Sequence, residues 1–280
     1  MKRKSTILLG GLMVLSFSFT AFAENGRNLI QPASVATNSS ATPLESKKEV
    51  TLDNYSVFQP LSETADFEEI KALESEMLER ANALYTFGKL KEKMTASDID
   101  YNKAVKIYMD NTESVFNDSM ENMEKFRSFL NTTEHIWMLQ VSLGNQTVTY
   151  TFNIGRPVRD EIRGLLTSEQ IAEMEREAGH WKIVKVAWGN GKGDDYKEYI
   201  RKGMAQENLN DESSVVVIGG TPMIRQPLAI TFEAEKVKVI PTNTTANDRL
   251  KSLMKRDGIQ PRANNLIEIC DLDDYIAALN

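Results

Sequence analysis

One stretch, HIWMLQVSLGNQTVTYTFNI at 135–154, constrains what this chain can become more than any other. Its second half alternates: Val148, Tyr150, Phe152 and Ile154 fall on one face, and Thr147, Thr149, Thr151 and Asn153 on the other. A period of two carried by β-branched and aromatic residues specifies a half-buried strand. Gly144 followed by Asn145 suits a two-residue type II′ turn, whose first central position needs a positive φ. Such a turn fixes the register, with Val141 opposite Val148, Leu139 opposite Tyr150, and Trp137 opposite Phe152. All six then share one face, and a slip of one residue breaks the match. The expectation is a hairpin that seeds an apolar core.

The N-terminus sets the compartment. Lys2, Arg3 and Lys4 precede an apolar run from Ile7 to Phe19, and Ala21-Phe22-Ala23 supplies an A-x-A cleavage pattern. These are the three regions of a secretory signal peptide, expected over 1–23. The run falls short of the roughly 20 apolar residues of a membrane span. Cleavage removes three basic residues and no acidic ones, taking the formal charge from −7 to about −10. The expected product is secreted, extracellular or in the cell envelope, with no stable membrane anchor after signal cleavage. An acidic chain of this kind is a poor match for nucleic acid or for anionic membrane surfaces.

Residues 24–50 are rich in Asn, Ser, Thr, Ala and Pro and read as a flexible linker. A single α+β domain is expected over 51–280, with a possible subdivision near 205–214. The lone cysteine, Cys270, excludes an intramolecular disulfide, so an ordinary core must hold the domain. Cys270 lies in the apolar run Leu266-Ile267-Glu268-Ile269-Cys270, which predicts a buried thiol.

Along the chain, Phe67, Ile70, Leu73, Met77, Ala81 and Leu84 predict one helix over 63–93, capped by Thr64. Ser97 and Asp100 resemble a capping box opening a helix with Tyr101, Ala104, Val105 and Tyr108 inward. A third helix is predicted over 118–130, with Met120, Met123, Phe126 and Leu130 inward. The connection 156–166 carries no readable pattern. Thr167 and Gln170 form a capping box for a short helix ending at Gly179, and a strand follows over 181–188. Val184, Val186 and Trp188 share one face of that strand, and Trp181, Ile183 and Ala187 the other, which predicts an interior strand. Further helices are expected from Asp194 to Met204, over 247–256 and over 271–279. Strands are expected over 214–218 and 266–270, with a second hairpin over 228–240.

Helices followed by antiparallel strands give an α+β layout: N-terminal helices packed on a curved, mainly antiparallel sheet. That order, with the segment Gly179-His180-Trp181-Lys182-Ile183-Val184-Lys185-Val186, resembles the nuclear-transport-factor-2-like (cystatin-like) superfamily over 64–240. The resemblance implies a helix-covered, cupped sheet. The fold hosts enzymes and non-enzymes and implies no activity.

No motif specifies a chemistry. Gly189, Gly191 and Gly193 lie between a strand and a helix, as in phosphate loops, but Asp194 and Asp195 occupy the helix start and oppose phosphate. His135 and His180 are the only histidines, so a zinc site would need both plus a carboxylate. Asp271, Asp273 and Asp274 lack the Gly and Glu of a calcium loop and read as helix-start residues. No cofactor is implied. The leading expectation is a non-enzymatic protein that binds a small apolar ligand or a protein partner, with Trp137, Tyr150, Phe152, Trp188 and His135 lining the sheet's concave face. The alternative is a hydrolase or isomerase with a general base, His135 or Glu161, in that cavity.

Overall fold

Residues 135–143 and 146–154 pair in the expected register, with Val141 opposite Val148, Leu139 opposite Tyr150 and Trp137 opposite Phe152. Gly144 has φ +54°, the conformation the first turn position requires. The computed structural model describes residues 52–111, 113–117, 123–233, 236–263 and 266–279. These residues belong to one compact unit, Lys48–Asn280. The expected leader and linker at 1–50 lie outside the described residues.

In chain order, α1 (Phe67–Ala72) and α2 (Glu74–Thr86) lead to β1 (Val105–Met109), α3 (Ser114–Asn117) and α4 (Met123–Thr132). The hairpin strands β2 (His135–Leu143) and β3 (Gln146–Ile154) follow, then α5 (Asp160–Arg163), α6 (Ser168–Glu177) and β4 (Trp181–Asn190). The remainder is α7 (Tyr196–Gln206), β5 (Val215–Gly219), β6 (Leu228–Glu233), β7 (Lys236–Pro241), α8 (Thr244–Arg256), β8 (Cys270–Asp271) and α9 (Leu272–Leu279). The strands form one open sheet of order β4-β3-β2-β1-β5-β6-β7-β8. Every pairing is antiparallel except the short one between β1 and β5. The fold is therefore α+β, helices on a curved, mainly antiparallel sheet.

Three apolar clusters fill it. On one face of the hairpin half, Trp137, Leu139, Val141, Val148, Tyr150 and Phe152 pack under Ile70, Met77 and Ala81 of α1 and α2. On the same face of the other half, Tyr108, Ile218, Leu228 and Val239 pack under α4, α8 and α9. The opposite face is covered near the middle by Ile200 and Met204 of α7 and by Val57.

Several expectations are corrected. The predicted helix 63–93 is two helices, and it ends at Thr86 because Gly88, at φ +68°, closes it. Thr64 does not cap it; its hydroxyl donates to the Leu61 carbonyl in a preceding 3-10 turn, and Asp66 stands at the start of α1. The predicted helix around Tyr101–Tyr108 is a 3-10 turn, capped by Asp100, followed by β1. Short apolar segments satisfy both periods, and Val-Lys-Ile-Tyr-Met is β-branched enough to be drawn between β2 and β5. The capping box in this region joins Thr95 with Asp98 rather than Ser97 with Asp100. Of the third helix, Met123, Phe126 and Leu130 face the core as expected, while Met120 lies outside the described residues. The expected strand over 266–270 narrows to the two residues of β8.

The strand 181–188 is not interior. β4 is an edge strand, and a bulge opposite Thr151 and Phe152 inserts Val184 as an extra residue. The bulge shifts the alternation, so Trp181 and Ile183 share a face with Val186 and Trp188, and Val184 is left exposed. A bulge with flanking Lys182 and Lys185 also blunts a free edge against pairing with another chain. The capping box of Thr167 with Gln170 and the hairpin of β6 with β7 form as expected.

The connection that carried no pattern, 156–166, contains α5. The excursion from 155 to 180 is closed at its neck by Gly155 N–H to His180 O (2.8 Å) and Gly179 N–H to Gly155 O (2.9 Å). A Cβ on Gly155 would stand 2.1 Å from the Glu177 carbonyl oxygen, so only glycine fits without moving backbone. Gly155→Ala is expected to cost about 2 kcal/mol of stability in urea unfolding, with faster proteolysis inside 156–178.

Candidate functional site

A cluster of ionisable and aromatic side chains gathers where the start of α1 meets the ends of β2 and β4. Asp66 and Glu69, three apart on α1, face the ends of β2 and β4. Asp66 Oδ2 accepts from His135 Nε2 (3.0 Å) and from Trp137 Nε1 (2.9 Å), and its Oδ1 accepts from Trp181 Nε1 (3.3 Å). Glu69 Oε2 accepts from the Trp181 backbone N–H at 3.2 Å and stands 3.7 Å from His180 Nδ1. Lys106 on β1 lies over the rings of Tyr108 (5.3 Å) and Trp137 (5.8 Å). The Tyr108 and Trp181 rings flank His135 at 5.6 and 5.5 Å.

The electrostatics follow from this packing. Burial pushes the Asp66 carboxyl up, but the bonds from His135 and Trp137 and the nearby charges of His135 and Lys106 outweigh it and hold it below its ordinary 3.8. Burial pulls the Lys106 ammonium down, and the Asp66 charge opposes that shift. An ionised carboxylate can only accept, so His135 carries its proton on Nε2. Its Nδ1 has no protein partner among the described residues.

The proposed lining residues separate. Trp137, Tyr150 and Phe152 are fully buried, and the Tyr150 hydroxyl donates to the Met77 carbonyl at 2.8 Å. The concave hairpin face is filled by α1 and α2 rather than hollow. His135 is partly buried in the Asp66 cluster, and Trp188 is exposed on the edge strand. Glu161 is exposed in α5, apart from the cluster. His180 is largely exposed. A shallow hollow of about 350 Å³, counted to its open mouth, lies on the opposite face between Val105, Met138, Gln140 and Tyr196.

The other groups singled out in the sequence have local partners. Asp195 caps α7 by accepting from Glu198 N–H (3.1 Å), and Asp194 accepts from Thr244 N–H (2.7 Å) at the start of α8. The Cys270 thiol is buried in β8 and pushed up to about 12 by burial, which makes it a poor nucleophile. Lys197, buried in the first turn of α7, donates to the Asn102 carbonyl at 2.8 Å and is pulled down to about 8 by burial. Neither Asp66 nor the exposed Phe87 was singled out by the sequence. An aspartate at a helix start reads as a cap, and only the fold reveals that its side chain turns to the sheet instead.

No protein-family model, no curated protein and no solved structure matches this chain. No helix among the described residues is long and apolar enough to cross a membrane.

Proposed function

We propose that this is an exported, non-enzymatic binding protein that recognises its partner with surface residues rather than with the interior of its sheet. The observation that carries the reading is the distribution of its aromatic residues. Trp137, Tyr150 and Phe152 are consumed by the core, while Phe87 and Trp188 are left exposed. Large exposed aromatics are costly to solubility and are enriched at recognition surfaces. The sequence-level likeness to the nuclear-transport-factor-2-like superfamily enters only as a proposal about ancestry, supported by helices packed on an antiparallel hairpin. The test is capture from an envelope fraction with the chain from residue 24 as bait. A binder retained by the parent and lost with Trp188→Ala or Phe87→Ala supports the reading. A binder held equally by all three contradicts it.

The hydrogen bond between His135 and Asp66 favours a second reading, a hydrolase or isomerase with His135 as general base, oriented by Asp66. An activity found on ester or glycoside substrates and abolished by His135→Ala would establish it in place of the first.

A further inference from the structure

Three segments are tied together at the turn end of the central hairpin. The Gln146 side chain accepts from Lys91 N–H (2.7 Å) and donates to the Lys89 carbonyl (3.0 Å) and to Asn190 Oδ1 (3.2 Å). Gly191 N–H donates to the Asn145 carbonyl at 2.7 Å. These bonds hold the segment after α2 and the loop after β4 at one corner of the sheet. Phe87, beside the Gly88 turn, is 73% exposed there, with Trp188 at 46% and Tyr85 at 37%. Lys93 Nζ sits 5.7 Å over the Tyr85 ring.

The charge of the corner is opposite to that of the chain. Leu90 and Met94 are buried, and Lys89, Lys91 and Lys93 between and beside them are exposed, as is Lys192 in the β4 loop. None of these four lysines forms an ion pair among the described residues. Within 85–93 and 143–148 the only acid is Glu92, whereas Asp194 and Asp195 closely follow Lys192. A net charge of −7 for the chain thus conceals a local basic patch built around exposed aromatics.

We propose that this corner docks on the surface of an anionic lipid bilayer, with Phe87 and Trp188 entering the headgroup region and Lys89, Lys91 and Lys93 over the lipid phosphates. The assignment rests on the binding-protein reading and names its partner. Lysines alone would suit any polyanion. Phe87 decides for lipid: a side chain without a polar atom, held out on a glycine turn, gains only by leaving water for an apolar phase. Tryptophan, tyrosine and lysine are the residues whose apolar bodies and polar tips match the interface. The corner is a reversible contact, not an anchor, and it sits on a body whose acidic surface is repelled by the same membrane. That combination orients the protein with the hairpin turn toward the bilayer.

The test is flotation of the chain from residue 24 with phosphatidylcholine vesicles, with and without phosphatidylglycerol. Binding is expected only to the anionic vesicles and is expected to weaken as salt is raised. Each lysine-to-glutamine change among Lys89, Lys91 and Lys93 should weaken it about fivefold. Phe87→Ser should weaken it about tenfold while leaving retention on a soluble polyanion, heparin, unchanged. All four positions are exposed, so circular dichroism of each variant is expected to match the parent. No binding to anionic vesicles, or equal binding by the triple glutamine variant, overturns the proposal. Heparin retention without vesicle binding also overturns it and assigns the corner to a soluble polyanion. If vesicles fail while the capture experiment still returns a binder lost with Trp188→Ala, only the lipid assignment falls. An activity abolished by His135→Ala would remove the binding reading itself.

Discussion

Trp137→Ala is expected to lower the unfolding free energy by about 4 kcal/mol, the range found when a large aromatic is deleted from a packed core. The urea midpoint should fall accordingly, and the melting temperature by about 10 °C for a domain of this size. Trp137 is fully buried, faces Phe152 across the hairpin, and gives its indole N–H to Asp66. Its deletion therefore opens a cavity under α1 and α2 and weakens the bond network that fixes the start of α1. A loss below about 1 kcal/mol would mean that the hairpin face is not packed as described.

Asp66→Ala should cost about 3 kcal/mol, because it strands a buried indole N–H and removes the acceptor of two further donors. Asp66→Asn, which keeps one acceptor oxygen, should cost less. The pH dependence separates charge from shape. The folded carboxyl titrates below its ordinary 3.8, so the ionised form is favoured by folding. Its contribution is complete above about pH 4 and is lost as pH falls through the folded value. The difference in urea midpoint between the parent and Asp66→Asn should therefore hold steady from neutrality to about pH 5 and shrink on further acidification. A difference that grows toward low pH would contradict the assigned sign.

What could be read from the sequence was local. The β2–β3 hairpin was legible because alternation and turn chemistry within twenty residues specify the same register. The Thr167 capping box and the β6–β7 hairpin were legible for the same reason. The identity of β4 was not, because one bulged residue, Val184, reverses the parity on which a face assignment depends. The helix expected through Tyr108 failed because a five-residue apolar segment fits both periods until its neighbours in the sheet are known. Gly88 did carry a stop signal for α2, and a closer reading of it would have ended that helix at the right turn.

The candidate site was legible only in part. His135 was identifiable as one of two histidines, but its partner Asp66 lies 69 residues away in sequence, and the Trp181 bond spans 115. Such pairings are set by how α1 lies across the sheet, which no local pattern encodes. The same holds for the basic corner, where the segment after α2 and the end of β4 are joined by a glutamine, Gln146, that reads in sequence as an ordinary strand residue.

The hairpin's apolar face is solid, with Trp137 and Trp181 buried and Trp188 at its exposed margin. Acrylamide quenching of tryptophan fluorescence tests it with one substitution. Among the three tryptophans, Trp137 and Trp181 are buried and Trp188 is exposed, so Trp188→Phe should remove nearly all quenchable emission and leave a blue-shifted, protected spectrum. Quenching of the variant as strong as that of the parent would show Trp137 or Trp181 open to solvent and the face hollow, contrary to this account.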